Sequence, residues 1–167
     1  MKKIFIGLLF VFIDINIGRV CVTPSFVGYI LIYLGVKEEA ECPRAYGFRT
    51  LVEASAVVMG ILWALNIFGL VLPIPVGVVF QLLVTYHLIR WAREQAEAIC
   101  RETAYIDKME TAWNVMFFTS IIGVVLSLFV PRLATLLFLA TFVAAVCYIY
   151  SFYHVWKDLA ALPGGVE

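Results

Sequence analysis

The chain has 167 residues, 63% of them hydrophobic and 14% charged, with a formal net charge of zero and a mean hydropathy of +0.99. Soluble domains carry about 25% charged and 45–50% apolar residues, so this composition excludes an ordinary soluble domain and sets the class as polytopic membrane protein. The zero total hides an asymmetry, because nearly all charges fall in four patches: Lys2–Lys3, Lys37 to Glu53, Arg90 to Glu110 and the C-terminus.

The chain begins with Lys2-Lys3 and an apolar run from Ile4 to Ile13. A cleaved signal peptide is not expected, since no small-residue A-x-A-like site follows. Gly18-Arg19-Val20 before Cys21 also places an arginine where a lipoprotein site wants a small uncharged residue.

Ile13 to Thr23 breaks the helical periodicity and alternates with a period of two, as an amphipathic β-ribbon does; Thr23-Pro24 then opens a helix. A helix over Lys3–Phe12 rises about 15 Å and five extended residues add about 16 Å, enough together for a hydrocarbon core of about 30 Å. The return, strand Val20–Thr23 and a helix over Pro24–Val36, reaches about 33 Å by the same rises. Gly18-Arg19 suits a two-residue type II′ turn. In that register Ile17 faces Val20, Asn16 faces Cys21, Ile15 faces Val22 and Asp14 faces Thr23. One face is then Ile15, Ile17, Val20 and Val22, the other Asp14, Asn16, Cys21 and Thr23.

A two-stranded ribbon leaves unpaired backbone groups that hydrocarbon does not tolerate, so protein or water must cover it. Asp14 and Asn16 are therefore expected to point into the bundle, with Arg19 at the outer headgroups. Asp14, Asn16, Arg19 and Thr23 form the candidate polar binding site. Two roles for Asp14 stand open: a structural acceptor for Thr23 or for the backbone N–H groups opening the next helix, and a handler of a proton, ion or small solute.

The strings Phe12-Ile13-Asp14-Ile15-Asn16-Ile17 and Thr23-Pro24-Ser25-Phe26-Val27-Gly28-Tyr29-Ile30-Leu31-Ile32 resemble the N-terminal signature of small uncharacterised multipass membrane proteins of Gram-positive bacteria. That signature is a Phe-x-Asp-x-x-Ile opening followed by Pro-x-Phe-x-Gly-Tyr-x-Leu. The resemblance covers about the first 36 residues and implies a bacterial multipass membrane protein, with no assigned activity. Where such proteins often carry an acidic residue after the proline, this chain has Ser25.

Downstream, apolar runs cover Phe48–Leu72, Val76–Ile89, Trp113–Val130 and Leu133–Tyr153. A spanning helix needs about 20 such residues, and Leu72-Pro73-Ile74-Pro75 and Val130-Pro131-Arg132 join the runs tightly. The expected fold is an all-α membrane protein with four long transmembrane helices in two hairpins, plus the N-terminal unit of short helix, β-ribbon and short helix that crosses or re-enters the membrane. All of it forms one membrane domain, 1–167, made of residues 1–36, a hairpin over 48–93 with a cytoplasmic helical extension to about 106, and a hairpin over 107–157.

Asn66, Gln81, Thr85, Asn114, Thr119, Ser127 and Thr141 are expected to hydrogen-bond across helices. Ala56, Gly60 and Ala64, and Thr119, Gly123 and Ser127, form small-residue stripes that allow close approach within the bundle or between copies of the chain. His87 and His154 end the second helix of each long hairpin, in Tyr86-His87 and Tyr153-His154, and hint at a weak duplication. They read as interfacial residues, and no cofactor or metal is expected. Cys21, Cys42, Cys100 and Cys147 include no C-x-x-C and no expected disulfide.

Arg90 to Met109 lacks Gly and Pro, and Ile89, Ala92, Ala96, Ile99 and Ile106 recur at helical spacing. Two readings of this solvated extension stand open: a helix packed on its own neighbour, and a surface for a membrane or cytoplasmic protein partner. Asp107 with Glu110 resembles a capping box opening the following helix. With the N-terminus inside, ten basic residues are cytoplasmic and only Arg19 and Arg132 lie outside, so both termini are expected in the cytoplasm of a bacterial cell membrane. Tyr86, Trp91, Trp113, Tyr153 and Trp156 then gather at the inner interface.

No H-E-x-x-H, G-x-S-x-G, phosphate loop or nucleic-acid module occurs in the chain. The expectation is a non-catalytic membrane subunit or scaffold, not an enzyme, embedded in the lipid bilayer, with a second copy of the chain as a further partner. The alternative is a small transporter or channel for an ion or small solute that uses Asp14.

Overall fold

The computed structural model describes residues 2–12, 16–17, 20–21, 25–39, 45–68, 75–98, 104–127 and 129–160. Within them lie six helices: α1 (Lys2–Phe12), α2 (Ser25–Glu39), α3 (Ala45–Ile67), α4 (Pro75–Ala98), α5 (Ala104–Ser127) and α6 (Pro131–Ala160). The chain divides into two compact units, Met1–Val84 and Thr85–Glu167.

Three segments are long and apolar enough to cross a membrane: Gly47–Leu65, Ala104–Ser127 and Arg132–Leu159. This corrects the expected four long transmembrane helices. The missing one is α4, which starts at Pro75, so its apolar stretch to Ile89 rises only about 21 Å before Arg90, Arg93, Glu94 and Glu97 follow. The ribbon unit is corrected too. Of Ile13 to Thr23, the described residues hold only β1 (Asn16–Ile17) and β2 (Val20–Cys21), pairing Asn16 with Cys21 and Ile17 with Val20. These two pairs are the only strands among the described residues, whose other elements are all helices, so the fold they describe is all-α with no sheet layer.

In the first unit α2 packs on both α1 and α3. Up to Val36 it is apolar around its whole circumference, as a helix covered on more than one side must be. Tyr29, Ile32 and Val36 are fully buried, and α1 presents Ile4, Gly7, Leu8 and Val11 at three- and four-residue spacing. Phe26 meets Trp63 of α3 with ring centroids 5.4 Å apart. Nearer the other end, the Arg49 guanidinium donates to the Tyr33 hydroxyl at 3.3 Å and lies 5.3 Å from the centre of that ring.

In the second unit α5 and α6 form an antiparallel hairpin. Pro131 opens α6, where its missing N–H costs nothing, and Val130 donates back to the Leu126 carbonyl at 2.7 Å. The α5 stripe Ile106, Met109, Ala112, Met116, Ser120 and Gly123 is buried, while Leu136, Leu139 and Phe142 of α6 stand more than half exposed. Lipid is as apolar as leucine, so such helices associate by packing and hydrogen bonds rather than by expelling water. The Thr119 and Thr141 hydroxyls bond each other across the hairpin at 2.7 Å, as their place among the expected cross-helix residues requires. One of the two donates in that bond, and the other accepts it while donating to a carbonyl one turn back on its own helix, Val115 for Thr119 or Leu137 for Thr141. The Tyr148 hydroxyl donates to the Thr85 carbonyl of α4 at 2.8 Å, which ties α6 to α4 inside the same unit.

Candidate functional site

The candidate polar site is carried by the α1–α2 hairpin. Its sequence-chosen residues fall unevenly: Asn16 occupies β1 opposite Cys21, whereas Asp14, Arg19 and Thr23 lie outside the described residues. The helices that present this segment are held with unusual closeness. A Cβ placed on Gly7 would stand 2.6 Å from the Gly28 carbonyl oxygen and 2.9 Å from the Ile32 nitrogen. One placed on Gly28 would stand 2.6 Å from the Gly7 carbonyl oxygen and 2.9 Å from the Val11 nitrogen. The two backbones therefore touch at Gly7 and Gly28, and no residue with a side chain fits at either position. Two turns further along α2, a Cβ placed on Gly35 would meet the Ile4 side chain first, at 2.5 Å from Cγ1, and the Ile4 nitrogen at 3.0 Å. Lys3 of α1 and Glu38 of α2 then form an ion pair at the opposite end of the hairpin from the ribbon.

This arrangement makes two short helices into one rigid stem. Neither reaches across a bilayer alone, since 11 and 15 residues rise about 16 and 22 Å. Glycine contact supplies close dispersion packing that longer helices obtain from length. The sequence signal for this stem was Gly28 and Gly35, seven residues apart and so on one face of α2, a spacing that hydropathy does not weigh.

A second group of polar residues gathers where α4 meets α5. The Arg93 guanidinium donates to the Glu110 carboxylate at 2.7 Å and lies 3.5 Å from that of Asp107. The hydrogen bond to Glu110, together with the charges of Glu110, Asp107 and Glu97, holds the Arg93 pKa above its ordinary value. This assigns Asp107 and Glu110 differently from a capping box. Because α5 is already helical at Ala104, Asp107 lies in its first turn and the two acids, three residues apart on one face, reach a cation on the preceding helix.

Aromatic side chains flank this junction. Tyr86 of α4 packs on Trp113 of α5 at 5.1 Å, and Trp113 stacks on Phe117 at 5.2 Å. His154 of α6 stacks on Tyr105 of α5 at 4.6 Å and is tilted against Tyr150 at 4.5 Å, while Lys108 lies 4.6 Å from the centre of the Tyr105 ring. Both histidines thus contact aromatic rings, His87 meeting the edge of Tyr86. Among the described residues no group of three or more His, Cys, Asp or Glu could hold a metal ion. No family model matches this sequence, and no curated protein or solved structure is detectably similar to it.

Proposed function

We propose that this membrane protein is a non-catalytic subunit or scaffold of a bacterial cytoplasmic membrane, with both termini in the cytoplasm. The observation that carries this reading is the charged shoulder at the α4–α5 junction. Here α4 continues from Arg90 to Ala98, about 12 Å beyond its apolar stretch, and Arg93 fastens it to Asp107 and Glu110 of α5. Such a shoulder is a surface for a protein partner: rigid, two helices wide, and carrying both signs of charge. The basic residues favour the orientation. Arg90, Arg93, Arg101 and Lys108 cluster in the sequence around this shoulder, and basic residues are retained on the cytoplasmic side.

The reading is tested by purifying the full chain from its native membrane with and without Arg93→Glu. The expected outcome is a co-purifying protein that is lost with Arg93→Glu and kept with Asp14→Asn, while both variants stay membrane-inserted. Retention of that protein by Arg93→Glu contradicts the reading. A second reading, a small transporter for an ion or solute, draws support from the rigid glycine stem that carries Asp14. It expects Asp14→Asn to abolish flux in reconstituted vesicles without lowering expression, and intact flux in that variant removes it.

A further inference from the structure

On the outer side of the α5–α6 hairpin lies a trench of about 670 Å³, within the usual range of ligand pockets. Small side chains make its floor, Ala112 of α5 with Ala140 and Ala144 of α6, and Val115, Leu136 and Leu139 make its walls. The floor residues are buried or half-buried and the wall residues are exposed, so the trench opens sideways along two membrane-crossing segments. Its single charged lining residue is Lys108.

The hairpin register fixes the length of the trench. Thr119 meets Thr141, Gly123 lies against Leu137 and Phe138, and Tyr105 stacks on His154. Leu136 therefore stands level with about Val124 of α5, sixteen residues from Lys108, or about 24 Å. Half of a bilayer, headgroups included, measures about 20 to 22 Å. The trench thus runs the depth of one leaflet, alkyl-lined over its length and cationic at one end. Among the described residues Lys108 forms no ion pair of its own: the neighbouring acids Asp107 and Glu110 both engage Arg93, and the Lys108 ammonium lies 4.6 Å from the centre of the Tyr105 ring.

From this geometry we infer that the trench binds a phospholipid with an anionic headgroup, one acyl chain lying over Ala112, Ala140 and Ala144 and the phosphate at the Lys108 ammonium. A neutral alkane would need no cation at the end, and a packed transmembrane helix would have to bury Lys108 against apolar side chains. The inference rests on membrane location and is independent of the subunit reading.

The test is native mass spectrometry of the full chain released from nanodiscs containing equal parts phosphatidylcholine and phosphatidylglycerol. The wild-type chain is expected to retain phosphatidylglycerol preferentially. Lys108→Gln should lower that preference about fivefold, the worth of one basic residue at an anionic surface, and Lys108→Arg should keep it. Cys147, exposed on the trench, allows the site to be blocked after folding. In a chain whose other cysteines are serine, a bulky maleimide on Cys147 should strip the retained lipid. Equal retention of both lipids by the wild type, an unchanged preference in Lys108→Gln, or lipid retention despite the Cys147 label overturns the inference. So does oxidative cross-linking of Cys147 between two chains in place of lipid, which would make a second copy the occupant.

Discussion

The two helical hairpins described most fully, α1–α2 and α5–α6, solve the same problem by opposite means. In the first, helices of 11 and 15 residues meet backbone to backbone through Gly7, Gly28 and Gly35. In the second, helices of 24 and 30 residues meet through side chains, with one Thr–Thr hydrogen bond and a glycine, Gly123, whose added Cβ would stand 3.4 Å from the Phe138 ring edge and 3.7 Å from the Leu137 Cβ, ordinary contact distances. Short helices have few contacts to sum, so each must be close. Long ones accumulate many loose contacts, and that looseness leaves an alanine-floored trench on the α5–α6 surface. The lesson concerns tolerance: the same chemical change should be ruinous in one hairpin and nearly silent in the other.

The sharpest break of this comparison is Gly28→Ala. Its new methyl would face backbone atoms at 2.6 and 2.9 Å, which no rotamer change relieves, and overpacking costs about 1 to 3 kcal/mol even where side chains can shift. A loss of about 3 kcal/mol or more is expected, read as a large drop in the thermal midpoint of the detergent-solubilised chain. Gly35→Ala should cost less, about 1 to 2 kcal/mol, because part of its conflict is with the flexible Ile4 side chain. Tyr148→Phe should cost about 0.6 to 1.7 kcal/mol by removing the bond to the Thr85 carbonyl. Arg93→Ala removes an exposed ion pair and should cost no more than about 1 kcal/mol, with less effect at high salt. Gly123→Ala should be close to neutral in the same melt; a loss matching that of Gly28→Ala would erase the distinction between the hairpins.

Much of this was legible in the residues, and the failures have physical causes. Hydropathy located the helical segments, since apolar length is the dominant signal for a chain in lipid. The alternation from Ile13 placed Asn16 opposite Cys21 and Ile17 opposite Val20, the two pairs that meet in β1 and β2. The remaining pairs of that register, Ile15 with Val22 and Asp14 with Thr23, lie outside the described residues. The α4 span was overcounted because its apolar stretch, from Pro75 to Ile89 in the described helix, is short of the about 20 residues that a crossing needs before Arg90 and the charges after it follow. Asp107 and Glu110 look like a cap when read within one helix, and their partner Arg93 is visible only once two helices are placed side by side. The glycine stem and the trench went unseen for one shared reason: both are defined by small side chains, to which hydropathy gives little weight.

The orientation that puts the α4–α5 shoulder in the cytoplasm is the claim on which the functional reading depends. Cys100 lies in the sequence between α4 and α5, so a membrane-impermeant maleimide applied to intact cells tests it directly. The account predicts no labelling of Cys100 until the membrane is opened. Labelling of Cys100 from outside would place Arg93, Asp107 and Glu110 on the wrong side of the membrane and contradict the account.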